Sequence, residues 1–282
     1  MNWPGHAAGA YVFGSSAAEI TRLQELGELL QPSTRQALRE AGVAEGMNVL
    51  DIGCGTGSVT FLAAELVGRA GSVTGVDRDP AMLATARAHA LSSGQPVSFI
   101  QADLAELGAE RWLDPGFDAI IGRLILLHLD DPVAVLGRLV PHLHSGGVVV
   151  FQEPDLTRMG ASWPPLPVLE QLCEWVRDAH RAWGIDCQFG LRLQQVFQDA
   201  GLPAPALRCD AFIGSGPGWG WYDQMLHAAS NAMPVVLSTG LTPAEQVGLD
   251  ALTERVSEAV ASQRSVTRAI DLVSAWTRMA PA

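Results

Sequence analysis

Lysine is missing from this chain of 282 residues, whose 18 basic side chains are all arginine. Its absence excludes Schiff-base chemistry on a lysine amine and any phosphate loop that ends in lysine. Cysteine is scarce as well. Cys54, Cys173, Cys187 and Cys209 are scattered without a CxxC pair, so free thiols in a reducing compartment are expected, and neither a zinc site nor a disulfide framework. The histidines and acids form no ligand-spaced cluster, so no metal is expected. Basic charge is in deficit: 18 basic against 30 acidic residues gives a net charge of −12, with no basic stripe for a nucleic acid to bind. No apolar run approaches the roughly 20 residues that span a bilayer. The greasiest stretch, AIIGRLILLHL, is broken by Arg123 and His128. The first residues, MNWPGHAAGA, lack a basic segment followed by an apolar one, so no secretory signal is expected and the location is read as cytoplasmic. What remains is a chain 48% hydrophobic and only 17% charged, which has ample apolar surface for a core.

Residues 1–15 read as a flexible arm. Ser16 with Glu19 forms a capping-box pattern that opens a helix to about residue 30, and Pro32 separates it from a second helix ending near Gly42. An alternation of strand and helix follows. Strands are predicted at 48–52, 72–77, 96–101, 117–122 and 147–152, and helices at 58–69, 80–92 and 132–143, with Asp79 as N-cap and Pro80 in the first helical position. Such βα repetition predicts a doubly wound α/β fold with a parallel sheet. After Phe151 the rhythm changes. Leu169, Leu172, Val176, Ala179 and Trp183 recur at helical spacing over 166–183, a helix is expected at 191–200, and a strand at 205–213. Residues 214–242 are rich in Gly, Trp and Pro. Thr242 caps a predicted helix to about Ala261, striped by Leu249, Leu252, Val256 and Ala259, and a last strand spans 269–277.

The segment VLDIGCGTGS, residues 49–58, sits between a predicted strand and a predicted helix. Glycines at 53, 55 and 57 allow the backbone to approach a ligand beside a helix N-terminus. A dinucleotide loop would need G-x-G-x-x-G, but counting from Gly53 ends on Ser58 and counting from Gly55 ends on Thr60. These residues resemble instead the first motif of the class I S-adenosylmethionine-dependent methyltransferases, an acid followed by G-x-G-x-G: here Asp51, Gly53, Cys54, Gly55 and Gly57. The resemblance runs in order through residues 48–153 and is nearest to the ubiquinone/menaquinone-type small-molecule enzymes. It implies S-adenosylmethionine as cofactor, with Asp77 on the ribose hydroxyls and Asp103 on the adenine amine. It places the Leu104 backbone at the ring, Arg78 and Met82 along the adenine, and Arg123 beside the methionine end. It also implies a Rossmann-like seven-stranded sheet, mostly parallel with its last strand antiparallel, carrying helical lid insertions. Chemistry supports the Asp77 assignment independently, because a carboxylate at a strand end can accept two hydrogen bonds from a cis-diol.

Methyl transfer from a sulfonium is an in-line displacement, in which orientation supplies much of the acceleration. A base is needed only where the acceptor must lose a proton. His128, Glu153 and Tyr11 are the candidates for catalytic work, as base, acceptor orienter or closing residue of the arm. For each a structural role stays open: packing for His128, a water-facing loop carboxylate for Glu153, a surface anchor for Tyr11. Trp219 and Trp221 flank a glycine, and with Tyr222 they are expected to contact an apolar acceptor.

The expected organisation is an N-terminal helical arm over 1–45, a cofactor-binding core over 46–153, and a remainder over 154–282 with substrate lids at about 154–189 and 214–265. The predicted function is methylation of an O or N atom, with C open, on a small hydrophobic or aromatic metabolite of natural-product type. The alternative is a cofactor-binding protein that catalyses a non-methylating rearrangement or senses the cofactor for a regulatory partner. The expected partner is a small-molecule acceptor, not a nucleic acid or a membrane, with homodimer formation open.

Overall fold

The computed structural model describes residues 16–107, 113, 116–238 and 249–281. The chain enters with helix α1 (Ala17–Ala41), capped at its start by Ser16 Oγ, which accepts from the Glu19 N–H at 3.2 Å, and closed by Gly42 at φ +87°. The break expected at Pro32 does not occur, and one helix of 25 residues runs through it. An interior proline costs about 3 kcal/mol. The buried stripe Leu30, Thr34, Ala37 and Leu38 continues past that point, so burial of one unbroken face offsets the cost.

Strand β1 (Asn48–Ile52), helix α2 (Ser58–Val67), strand β2 (Ser72–Asp77), helix α3 (Pro80–Ser93), strand β3 (Val97–Gln101), strand β4 (Phe117–Arg123), helix α4 (Pro132–Leu139) and strand β5 (Leu143–Asp155) follow in the predicted alternation. Strands β1 to β5 pair in parallel, in the order β3-β2-β1-β4-β5. β5 starts four residues before its predicted beginning because Leu143 pairs with Phe117 ahead of an irregularity in the ladder. Parallel strands covered on both faces read as apolar runs. That is why Val49, Leu50, Ile52, Val73, Val76, Ala119, Ile120, Ile121 and Val148–Phe151 are all buried.

The second half contributes a two-residue strand β6 (Ser162–Trp163), helices α5 (Pro167–Ala182) and α6 (Phe189–Asp199), strand β7 (Ala206–Ser215), helices α7 (Trp221–Ser238) and α8 (Leu249–Ser262), and strand β8 (Val266–Arg278). The sheet order continues as β5-β8-β6, with β7 also on β8. The described sheet therefore has eight strands where seven were expected, the extra one being β6, which runs antiparallel to β8. Its length explains its absence from the sequence pattern: two residues carry no periodicity.

Helix α7 was also unforeseen. Four of the five glycines of 214–242 lie before Trp221, and Met225, Ala229, Ala232 and Val236 then form a buried helical stripe. In α8, Leu252, Val256 and Val260 are buried while Ala259 is half-buried. The Thr242 cap and the Leu249 side chain lie outside the described residues.

By compactness the chain divides into two units. One contains β1 to β4, α1 to α4, α6 and most of β5; the other contains Pro154–Phe189 and Cys209–Leu272. In the second unit α5 buries Leu169, Leu172, Cys173, Val176 and Ala179, and Arg177 donates to the carbonyls of Leu156 and Met159. Among the described residues no helix is long and apolar enough to cross a membrane, and no group of acids, histidines or cysteines could hold a metal ion.

Candidate active site

All the sequence-predicted acids of the first half fall at or just beyond the carboxyl ends of the parallel strands, where open α/β sheets bind ligands. Asp51 ends up inside. It is 1% exposed and accepts from the Thr60 hydroxyl at 2.6 Å, which ties β1 to α2. Burial pushes its carboxyl up to about 7, partly opposed by the Thr60 hydrogen bond and by the charge of Arg123. Asp51 thus braces the start of the glycine loop through Thr60, with its carboxyl turned into the interior.

Above it, the glycine loop is pinned from two sides. The Cys54 N–H donates to the Val76 carbonyl at 3.0 Å, and the Gly55 N–H donates to Asp77 Oδ2 at 2.8 Å. Asp77 Oδ1 accepts from the Asp79 N–H at 2.9 Å. One carboxylate therefore fastens the loop after β1 to the turn after β2. Burial raises its pKa, against those two backbone hydrogen bonds. Each oxygen keeps a second lone pair, so the half-buried side chain can still accept from hydroxyls.

Gly55, at φ +54°, has nothing within 4 Å of where a Cβ would stand. Gly53 is the opposite case: a Cβ there would lie 2.4 Å from Ile125 Cγ1. Helix α2 follows N-cap Gly57 without a side-chain cap, which puts the positive end of its dipole at the end of the glycine loop. Cys54 is buried beneath the loop, and burial raises its thiol well above the ordinary value.

Asp103 caps a single 3-10 turn over Leu104–Glu106 by accepting from the Ala105 N–H at 2.9 Å. Leu104 is buried and its carbonyl accepts from Arg138 at 3.3 Å. Arg78 is half-buried, whereas Met82 is 4% exposed within α3, so the expected contact of Met82 along a ligand ring is not presented by this conformation. Arg123, the last residue of β4, donates through Nη1 to Thr34 Oγ1 at 2.8 Å and through Nη2 to Ser58 Oγ at 2.7 Å. Burial lowers its guanidinium to about 10, against the attraction of Asp51. It links α1, α2 and β4. Thr34, Ser58 and Thr60 were not singled out from the sequence; hydroxyls in helices carry no pattern that announces a distant partner.

Glu153 is fully buried. Its Oε1 accepts from the N–H groups of Ile125 at 3.0 Å and Leu126 at 2.7 Å, while Oε2 has no hydrogen-bond partner. Burial pushes its carboxyl up to about 8 despite backbone hydrogen bonds from residues 125–127. Glu153 is thus turned onto the turn after β4 and away from solvent. His128 ends that turn and is half-buried, with its N–H on the Ile125 carbonyl at 3.0 Å. Tyr11 lies outside the described residues.

The three aromatic residues expected to contact an acceptor are placed as follows. Trp221 and Tyr222 open α7 instead of lying in a loop, and both are buried. The Tyr222 hydroxyl pairs with Thr267 Oγ1 at 2.9 Å, and Trp221 stacks on Phe212 with centroids 4.8 Å apart. Trp219, half-buried, meets Tyr222 edge-on at 5.1 Å and fills the space beside Gly214. These three rings pack a core where loop placement had suggested a binding surface.

The chain is similar to known methyltransferases in sequence and in fold. The family model of a methyltransferase domain matches residues 44–217. Aklanonic acid methyltransferase of Streptomyces sp. (strain C5) is 35% identical over 55% of this chain and 68% of its own length. Demethylmenaquinone methyltransferase of Staphylococcus aureus (strain MRSA252) is 32% identical over 57% of this chain, and the match spans 63% of that relative. Among solved structures, phosphoethanolamine N-methyltransferase 2 of Haemonchus contortus, in complex with S-adenosylhomocysteine, shares the fold. The TM-score is 0.58 at 16% identity, covering 99% of this chain and 62% of that one.

Proposed function

Because the chain belongs to the class I S-adenosylmethionine-dependent methyltransferases, we propose that it methylates an oxygen or nitrogen atom, with carbon open, of a small hydrophobic or aromatic metabolite of natural-product type. Its cofactor is S-adenosylmethionine, which when bound supplies a methyl group on a sulfonium. The observation that carries the reading is the hydrogen bond from Gly55 to Asp77, beneath open space over Gly55. It presents a backbone cradle and a carboxylate with free lone pairs side by side, as a nucleoside with a cis-diol requires. The uncapped start of α2 and the half-buried Asp103 fit the same ligand.

In this reading the chain works mainly by holding and aligning. Asp77 accepts from the ribose hydroxyls, Asp103 and the Leu104 backbone meet the adenine, and Arg78 lies along it. Arg123 fixes the post-β4 end of the site through Thr34 and Ser58. His128, at the end of the turn after β4, takes the proton where the acceptor is a phenol or alcohol. The resemblance to an aklanonic acid methyltransferase supports a small-molecule acceptor of natural-product type, and the acidic charge disfavours polyanions.

The test is calorimetric titration with S-adenosylmethionine and S-adenosylhomocysteine, with Asp77→Ala as control. The expected result is saturable binding, weakened by about ten- to a hundredfold in the variant, the value of one or two hydrogen bonds to a charged acceptor. Acceptors are then screened for the mass gain of one methyl group. Absence of binding by the wild-type chain overturns the reading.

A further inference from the structure

The turn that joins β4 to the segment before α4 is held in an uncommon conformation. Leu124 has φ +56°, the one non-glycine residue at positive φ among those described. Such a backbone costs about 1–3 kcal/mol unless its surroundings impose it. Two consecutive residues of the neighbouring strand do so. The Leu124 N–H donates to the Gln152 carbonyl at 2.9 Å, and the next two N–H groups donate to Glu153 Oε1. Gln152 is itself anchored by its side-chain amide on Ser274 Oγ at 2.7 Å.

This conformation decides where Ile125 goes. Its Cγ1, Cδ1 and Cβ all lie within 2.7 Å of where a Cβ on Gly53 would stand, and its Cγ2 lies 2.9 Å from that position on Gly122. Ile125 is a wedge between two glycines, one of which opens the cofactor loop. Glu153 lies on the neighbouring strand, and its one hydrogen-bonded oxygen, Oε1, is committed to the backbone of the wedge.

We propose that Glu153 is a positioning residue: its carboxyl oxygen locks the Leu124–His128 turn so that Ile125 seats on Gly53 and sets the shape of the S-adenosylmethionine loop. This inference rests on the cofactor reading for its functional consequence, but not for its structural one. What the role demands of residue 153 is one buried acceptor, not a charge and not a base. Glutamine can fill it and leucine cannot.

The experiment compares wild type, Glu153→Gln, Glu153→Leu and Ile125→Ala in two measurements: amide hydrogen exchange over residues 123–129 without ligand, and calorimetric titration with S-adenosylhomocysteine. In Glu153→Leu, exchange at Ile125 and Leu126 is expected to rise at least about tenfold and affinity to fall about tenfold, the equivalent of one lost buried hydrogen bond or more. Glu153→Gln should stay within about threefold of wild type in both, because its amide oxygen replaces Oε1. Ile125→Ala should weaken binding while leaving the amides as protected as in wild type, which separates the wedge from its fastening. It also keeps the idea testable if Glu153→Leu does not fold. Equal loss in the glutamine and leucine variants would overturn the proposal in favour of a role for the carboxyl group itself. Unchanged exchange in Glu153→Leu, or unchanged affinity in Ile125→Ala with a binding wild type, would overturn it too. A wild type that binds no nucleoside at all sinks the cofactor reading, whereas the exchange measurement still decides the fastening.

Discussion

Replacing Glu153 by glutamine should change how the stability of the protein depends on pH, and the size of the change follows from burial. Burial pushes the carboxyl up to about 8 in the folded chain, against an ordinary value of about 4.5. Desolvation is the main cause. An acid whose folded pKa lies above its unfolded one binds its proton more tightly when folded, so folding is favoured at low pH and disfavoured as pH rises between the two values. Below about pH 4.5 both states are protonated and the residue is neutral to stability relative to glutamine. Between about 4.5 and 8 the unfolded chain releases a proton that the folded chain keeps, and each pH unit costs about 1.4 kcal/mol. From pH 5 to pH 8 the loss sums to roughly 3.5 kcal/mol, a large part of the 5–15 kcal/mol that holds a typical domain. Glutamine does not titrate. Urea denaturation of wild type and Glu153→Gln at pH 5, 6, 7 and 8 should therefore show the variant gaining on wild type at each step, with the other acids, Asp51 included, cancelling in the difference. A difference constant to within about 0.5 kcal/mol over this range would refute the argument that Glu153 is desolvated.

Three further perturbations probe the site and its supports. Gly53→Ala should weaken S-adenosylhomocysteine binding at least about tenfold in a calorimetric titration, because the methyl group must displace the Ile125 wedge at a backbone of φ +64°. Thr60→Val removes the hydroxyl that donates to buried Asp51 and should cost about 1–3 kcal/mol in a denaturant melt, more at pH 8 than at pH 6, since the donor stabilises the ionised carboxyl and its loss raises Asp51 above its value of about 7. Tyr222→Phe breaks the bond to Thr267 and should cost about 1 kcal/mol of stability. Its KM for an acceptor, once one is found, should stay at the wild-type value, and a raised KM would restore Tyr222 to the acceptor site.

Much of the cofactor half was legible because its signals are local. Strand boundaries at 48–52 and 72–77 follow from apolar runs cut by glycine and aspartate. The Asp79–Pro80 helix start is written in two adjacent residues and is realised, with Asp79 accepting from Ala81 and Met82. The glycine loop is likewise a short contiguous motif. The second half was harder to read for the same reason in reverse. Trp219, Trp221 and Tyr222 sit in a glycine-rich stretch whose neighbours in sequence suggest a loop, yet their partners Phe212 and Thr267 lie up to 45 residues away in sequence.

The amino-acid sequence by itself determined the α/β alternation, the glycine loop with its acids at the strand ends, and through them the family and its cofactor; these are set by the order and spacing of neighbouring residues. Tertiary structure alone decided which way the acids face. Asp51 and Glu153 read alike as carboxylates at strand ends, but one is turned onto Thr60 and the other onto the turn after β4. Asp77, by contrast, keeps a partly open face above the loop it fastens. The difference is desolvation. Whether a carboxylate meets solvent, a ligand or a backbone N–H depends on what the rest of the chain stacks around it, and that information is spread over residues too far apart in sequence to form a pattern.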